Sequence, residues 1–164
     1  MNSMNTVKKL LFFIGFLLAF LTASAQKDLN IETTFKTYGK QEGSVLIELA
    51  KDVLGNHTKI NRYKSLIVPS DSATLKTTEE AIRKDVKDGK LLMESRKNGE
   101  IEAASYCLKK KDKALDYEYI LLSNTSKKIT LIYVKGNFPP EELEKELSKL
   151  KNLFIKVNNK RIKI

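Results

Sequence analysis

His57 and Cys107 are each the only residue of their type among 164, and that limits the chemistry available. One histidine leaves no multi-histidine zinc site and no spare member for a Ser-His-Asp triad. Within Gly55-Asn56-His57-Thr58 it reads as a turn residue. Cys107 sits in Ala103-Ala104-Ser105-Tyr106-Cys107-Leu108, an apolar alternation suited to a small buried hydrophobe. A reactive thiol needs an activating base, and the sole histidine is distant in sequence. A single cysteine also forms no intramolecular disulfide, so the chain must rely on its apolar core. No Gly-rich phosphate loop, Cys-x-x-Cys pair or serine elbow occurs. The acids fall mostly on predicted helix surfaces, as in Glu79-Glu80 and Glu141-Glu142-Glu144. Paired carboxylates of the glycosidase kind are assembled in space and so stay formally open, but the chain has no tryptophan to make a sugar platform. The expectation is a non-enzyme with no catalytic residue, no metal ligand and no cofactor.

Two residue groups suggest binding. Tyr106, Tyr117, Tyr119 and Tyr133 come from neighbouring predicted strands and would line a sheet face, or else pack as core with their hydroxyls at the rim. Lys109, Lys110 and Lys111 form a basic run that would serve either as an anion-contact loop or as a solubilising hairpin tip. The formal charge is +10, and only Arg62, Arg83, Arg96 and Arg161 are arginines. Lysine is a strongly hydrated point charge, whereas specific phosphate recognition favours the planar arginine fork. The excess therefore reads first as a solvated surface, with weak attraction to anionic lipid or polysaccharide as the functional alternative. No nucleic-acid-binding signature is present. Asn56-His57-Thr58 and Asn124-Thr125-Ser126 fit the N-glycosylation rule, and Asp71-Ser72-Ala73 fits an Asp-Ser/Thr-apolar O-glycosylation pattern at Ser72.

The first 25 residues carry a compartment signal rather than chemistry. Lys8 and Lys9 lead into the apolar run Leu10 to Leu21, followed by Thr22-Ala23-Ser24-Ala25. That pattern is a secretory signal peptide with Ala23 and Ala25 at the signal-peptidase site. Its apolar run is shorter than the roughly 20 residues a bilayer span needs. Cleavage after Ala25 leaves residues 26–164 as a single domain with no transmembrane segment, its formal charge reduced from +10 to +8 because the leader holds two lysines and no acid. The expected location is the periplasm, the cell surface or the medium.

The elements that must position these residues follow from patterning. Ile31, Phe35 and Tyr38, with Asn30 as N-cap and Gly39 beyond, predict a short amphipathic helix. Ser44–Leu54 fits a buried strand or a short helix, and the strand is favoured. Ile60 to Val68 suits a strand ended by Pro69, and residues 69–76 read as a loop. Thr77-Thr78-Glu79-Glu80 matches a capping box opening a helix over 78–88, with Gly89 to stop it. Leu91–Arg96 and Ile101–Leu108 face each other across Asn98-Gly99, a type I′ hairpin pair. Strands at Leu115–Leu122 and Ile129–Val134 complete a meander of about four strands. Pro139-Pro140 opens a helix over 140–150 with Leu143, Leu147 and Leu150 as its buried stripe. A small hairpin or a frayed tail ends the chain, around Asn158-Asn159.

Tyr63-Lys64-Ser65-Leu66-Ile67-Val68, Tyr119-Ile120-Leu121-Leu122-Ser123-Asn124 and Ile129-Thr130-Leu131-Ile132-Tyr133-Val134-Lys135-Gly136, running into the Leu143–Leu147 helix, together resemble a family of small exported Bacteroidetes proteins classed as a domain of unknown function. The resemblance implies a periplasmic or surface location and supplies no activity. The expected architecture is a single α+β domain, an antiparallel sheet of five or six strands with the helices at 78–88 and 140–150 on one face. The expected function is a module acting through an unknown protein partner or envelope component. The rival is a small-ligand or anionic-glycan binder using the tyrosine- and lysine-bearing sheet face.

Overall fold

The computed structural model describes residues 28–110 and 114–150, together with the backbone of 154–157 and 160–163. The leader with Ala23 and Ala25, and Lys111 of the basic run, lie outside the described residues. Six strands form one antiparallel sheet: β1 (Val45–Ala50), β2 (Ile60–Pro69), β3 (Lys90–Lys97), β4 (Glu100–Cys107), β5 (Tyr117–Asn124) and β6 (Lys128–Gly136), in the order β1-β2-β6-β5-β4-β3. The fold is α+β. After β2 the chain crosses to the far edge and returns strand by strand, so β6 closes against β2. Asn98 and Gly99 both take positive φ, 53° and 85°, as the type I′ turn between β3 and β4 requires. A separate hairpin, β7 (Phe154–Val157) with β8 (Lys160–Lys163), ends the chain.

Among the described residues four helices accompany the sheet: α1 (Asn30–Tyr38), α2 (Lys51–Leu54), α3 (Ser72–Asp85) and α4 (Leu143–Leu150), the last entered through a 3-10 turn at Pro140–Glu142. Val45–Leu54 is thus strand followed by one helical turn. α1 begins at Asn30 without a side-chain cap of its own. Asp85 of α3 supplies it instead, accepting from the Asn30 and Ile31 amides at 2.7 and 2.9 Å. The helix expected over 78–88 begins six residues earlier. Asp71 is its N-cap, taking the Thr74 amide at 2.8 Å and the Thr74 hydroxyl at 2.5 Å. Thr78 lies inside the helix and donates back to the Thr74 carbonyl at 2.8 Å, so the capping box at 77–80 is not used. A segment of Ser, Asp, Ala and Thr reads as loop by composition, but here the aspartate caps it and Leu75 anchors it to the core.

The sheet is covered on both faces, which corrects the expectation of two main helices on one. α1 and α3 pack Ile31, Phe35, Leu75 and Ile82 against Leu66, Ile120, Leu122, Ile129 and Leu131. α2 and α4 pack Leu54, Leu143 and Leu150 on the other side, with Ile60, Tyr119, Val134 and Phe138. Side chains alternate along a strand, so β5 and β6 serve both cores at once: Ile120 and Leu131 face one way, Tyr119 and Val134 the other. Strands patterned for burial on both sides read as near-continuous apolar runs, as Tyr119–Leu122 does.

Candidate functional site

Among the described residues an apolar concavity lies on the α4 side, a groove of about 620 Å³ between that helix and the exposed part of the sheet. Its floor is Leu121, Ile132 and Ala103, its far wall Leu92 and Met93 of edge strand β3, and its near wall Leu143 and Leu147 of α4. Met93 is 49 % exposed. Register explains why these residues meet: Leu121 is paired with Ile132 and with Ser105. β3 approaches through a register shift between Leu91 and Met93. Small side chains at Ala103, Ser105 and Ser123 leave the groove its depth.

α4 is held at the groove wall by a buried carboxylate. Glu146 is 1 % exposed. Its Oε2 accepts the Thr58 hydroxyl at 3.0 Å and the Lys59 amide at 2.9 Å, and its Oε1 accepts Lys149 Nζ at 2.6 Å. Burial opposes the charge, but the hydrogen bonds from Lys149, the Lys59 amide and Thr58 outweigh it and hold the carboxyl below its ordinary range. Lys59 adds a surface bond to Glu142 at 2.6 Å. Beneath the helix, Tyr119 donates to the Phe138 carbonyl at 2.6 Å, and the two rings stack with centroids 5.3 Å apart. Gly136 is required at the crossing, since a Cβ there would lie 2.5 Å from the Lys59 carbonyl oxygen.

The four tyrosines do not converge on one surface. Tyr133 and Tyr106 lie with the α1–α3 core, and Tyr119 and Tyr117 with the α4 core. Burial pushes the phenols of Tyr119 and Tyr133 up, and Tyr133 donates to Glu118 at 2.8 Å. Lys109 and Lys110 are exposed just beyond β4, where Lys110 Nζ stands 4.1 Å from the Tyr117 ring centre. Ser72 is exposed as the first residue of α3 rather than in a loop. His57 is exposed, and Cys107 is buried with its thiol pushed up by that burial. Among the described residues no group of three or more His, Cys, Asp or Glu is placed to hold a metal ion.

Sequence reasoning missed two buried charges. One is Glu146, which lies among Glu and Lys residues of the last helix. The other is Lys64, 4 % exposed. Lys64 Nζ reaches Glu32 at 2.7 Å and Glu48 at 2.8 Å, and stands 4.9 Å from the Phe35 ring centre. Lys64 sits at an inward position of the alternating pattern in β2, which is the one signal that would have flagged it.

A family model described as a family of unknown function, DUF6108, matches residues 18–147. The chain belongs to that family. The matched stretch includes the whole six-stranded sheet and the groove's α4 wall as far as Leu147. No curated protein matches the chain. No helix among the described residues is long and apolar enough to cross a membrane.

Proposed function

We propose that this member of DUF6108 is an exported, non-enzymatic module of the periplasm or cell surface that works by contact. Its partner is an envelope protein that lays the apolar side of an amphipathic segment into the α4 groove. The leader pattern supports export, and the resemblance to exported Bacteroidetes proteins agrees with it. The groove carries the contact reading: Leu92, Leu121, Ile132 and Leu147 form a concave apolar strip between a helix and a sheet, the shape that helix-in-groove recognition uses. No tyrosine, lysine or arginine lines it, so an anion would find no cationic partner there. Exposed apolar surface of this kind marks interaction sites in monomers.

Site-specific photo-crosslinking in intact cells tests this reading. A photoreactive residue at Met93, on the groove wall, should give a discrete protein adduct that Leu147→Ser abolishes. The same residue at Lys76, exposed on the opposite helix layer, should give none. Equal products from both positions, or none from Met93, would overturn the proposal. Retention on an anionic polysaccharide that Lys109→Glu with Lys110→Glu abolishes would favour the glycan-binding rival instead. N-terminal sequencing of the secreted or periplasmic fraction should begin at Gln26.

A further inference from the structure

On the opposite face of the sheet, a smaller cleft of about 250 Å³ opens between α3 and the β3–β4 edge. Its floor is apolar, formed by Ile82 of α3 and Val86 just beyond it, with Ile101 and Leu122 of the sheet. Its rim is charged and balanced: Glu79 and Arg83 come from α3, Glu94 and Arg96 from β3. Tyr106 stands among them, half-buried, with no hydrogen bond to its hydroxyl among the described residues. Two of the chain's four arginines therefore meet at one small cleft, in a protein that otherwise relies on lysine.

The four charges are not equally engaged. Arg96 is committed, its Nε to Glu94 at 2.6 Å and its Nη1 to the Gly99 carbonyl at 3.0 Å. Glu79 and Arg83 lie four apart on α3, a spacing at which such residues ordinarily pair. Among the described residues neither makes an ion pair, so one carboxylate and one guanidinium face the cleft about a helical turn apart. Burial raises the Tyr106 phenol first, then Glu94, with Arg96 opposing, Glu79 adding and Arg83 opposing, so the phenol lies within the field of all four groups.

We propose that this cleft binds a free α-amino acid with a large apolar side chain. Glu79 takes the ammonium, Arg83 takes the carboxylate as a planar two-donor partner, and the Tyr106 hydroxyl adds a third polar contact. The side chain rests on Ile82, Val86, Ile101 and Leu122. A ligand with an apolar body and two opposite charges matches an apolar floor whose rim offers one free group of each sign. The cleft lies on the opposite face of the sheet from the α4 groove, and the proposal stands or falls separately.

Titration of the mature protein with L-phenylalanine, followed by amide chemical shifts, tests the proposal. Millimolar or tighter binding should shift the amides of Ile82, Arg83 and Val86 beside the cleft and leave those of Leu143 and Leu147 at the α4 groove unmoved. Phenethylamine, which lacks the carboxylate, and phenylacetate, which lacks the ammonium, should each bind at least about tenfold more weakly, the loss of one charge-assisted pair. Arg83→Gln and Glu79→Gln, substitutions near the helix surface, should produce the same loss without lowering the melting temperature. The ligand comparison needs no variant, so it decides the matter even if a substitution unfolds the chain. Absence of shifts at millimolar L-phenylalanine, or equal binding of either truncated analogue, overturns the proposal.

Discussion

The two faces of the sheet are built from the same strands yet end in different states. On the α1–α3 side, Ile120, Ile129 and Leu131 are shut away under two helices that also clasp each other through Asp85. On the α4 side, Tyr119, Val134 and Phe138 are equally buried at one end, while Leu121 and Ile132 stay partly open at the other. Helix length accounts for the contrast. α3 has 14 residues and α4 has eight, which at 1.5 Å per residue span about 21 and 12 Å. A helix of eight residues cannot roof a six-stranded sheet, so among the described residues the groove is the area α4 leaves uncovered. The sequence patterns both faces for burial, and the α1–α3 side receives the fuller cover, open at the cleft beside β3 and β4.

Matched truncations give the largest effects and can break the comparison outright. Ile120→Ala on the closed face should cost about 3–4 kcal/mol, whereas Ile132→Ala on the groove floor should cost about 1 kcal/mol because that side chain already meets solvent. Equal losses in denaturant unfolding would mean that the groove is packed and the contrast false. Next in size, Glu146→Ala should cost about 2–3 kcal/mol, since Thr58, the Lys59 amide and Lys149 all lose their acceptor.

The sign of the pH effect follows from the lowered carboxyl. Glu146 is held below its ordinary value of 4.5, so its contribution is complete above that pH and disappears as the pH falls through the lower folded-state value. Thermal melts of the native chain should therefore lose stability across that acid range by more than those of Glu146→Gln, and parallel profiles would remove the clasp from the account. Tyr119→Phe, which deletes the bond to the Phe138 carbonyl, should cost about 1 kcal/mol and leave α4 in place. The smallest effect concerns Cys107: a thiol reagent should modify it slowly in the native protein and quickly in denaturant. Rapid native labelling would show that the α4-side core opens more readily than the other.

Local signals located most elements because each rests on neighbours in sequence. Asn98-Gly99 needs only its own backbone to turn, and the strands of the meander are short apolar runs between turn residues. The misread start of α3 shows where composition misleads: Asp71 and Thr74 bond each other directly, but nothing in their types distinguishes a cap from a loop turn. Of the groove, Leu143 and Leu147 were visible as a helical stripe, whereas their position opposite Leu121 and Met93 was not. The tyrosines were legible as alternating strand residues, but which face each would take depended on how the meander closes against β2.

By itself, then, the amino-acid sequence determined the α+β class, the hairpin turn, the meander and the scarcity of single-residue chemistry, all of which depend on period, turn preference and composition over short stretches. Tertiary structure alone decided that Asp85 caps a helix 55 positions away, that Glu146 and Lys64 lose their water, and that among the described residues Leu121 and Ile132 stay partly open on one sheet face. Those outcomes depend on which surfaces meet after the chain crosses from β2 to the far edge of the sheet, and no local pattern encodes that meeting.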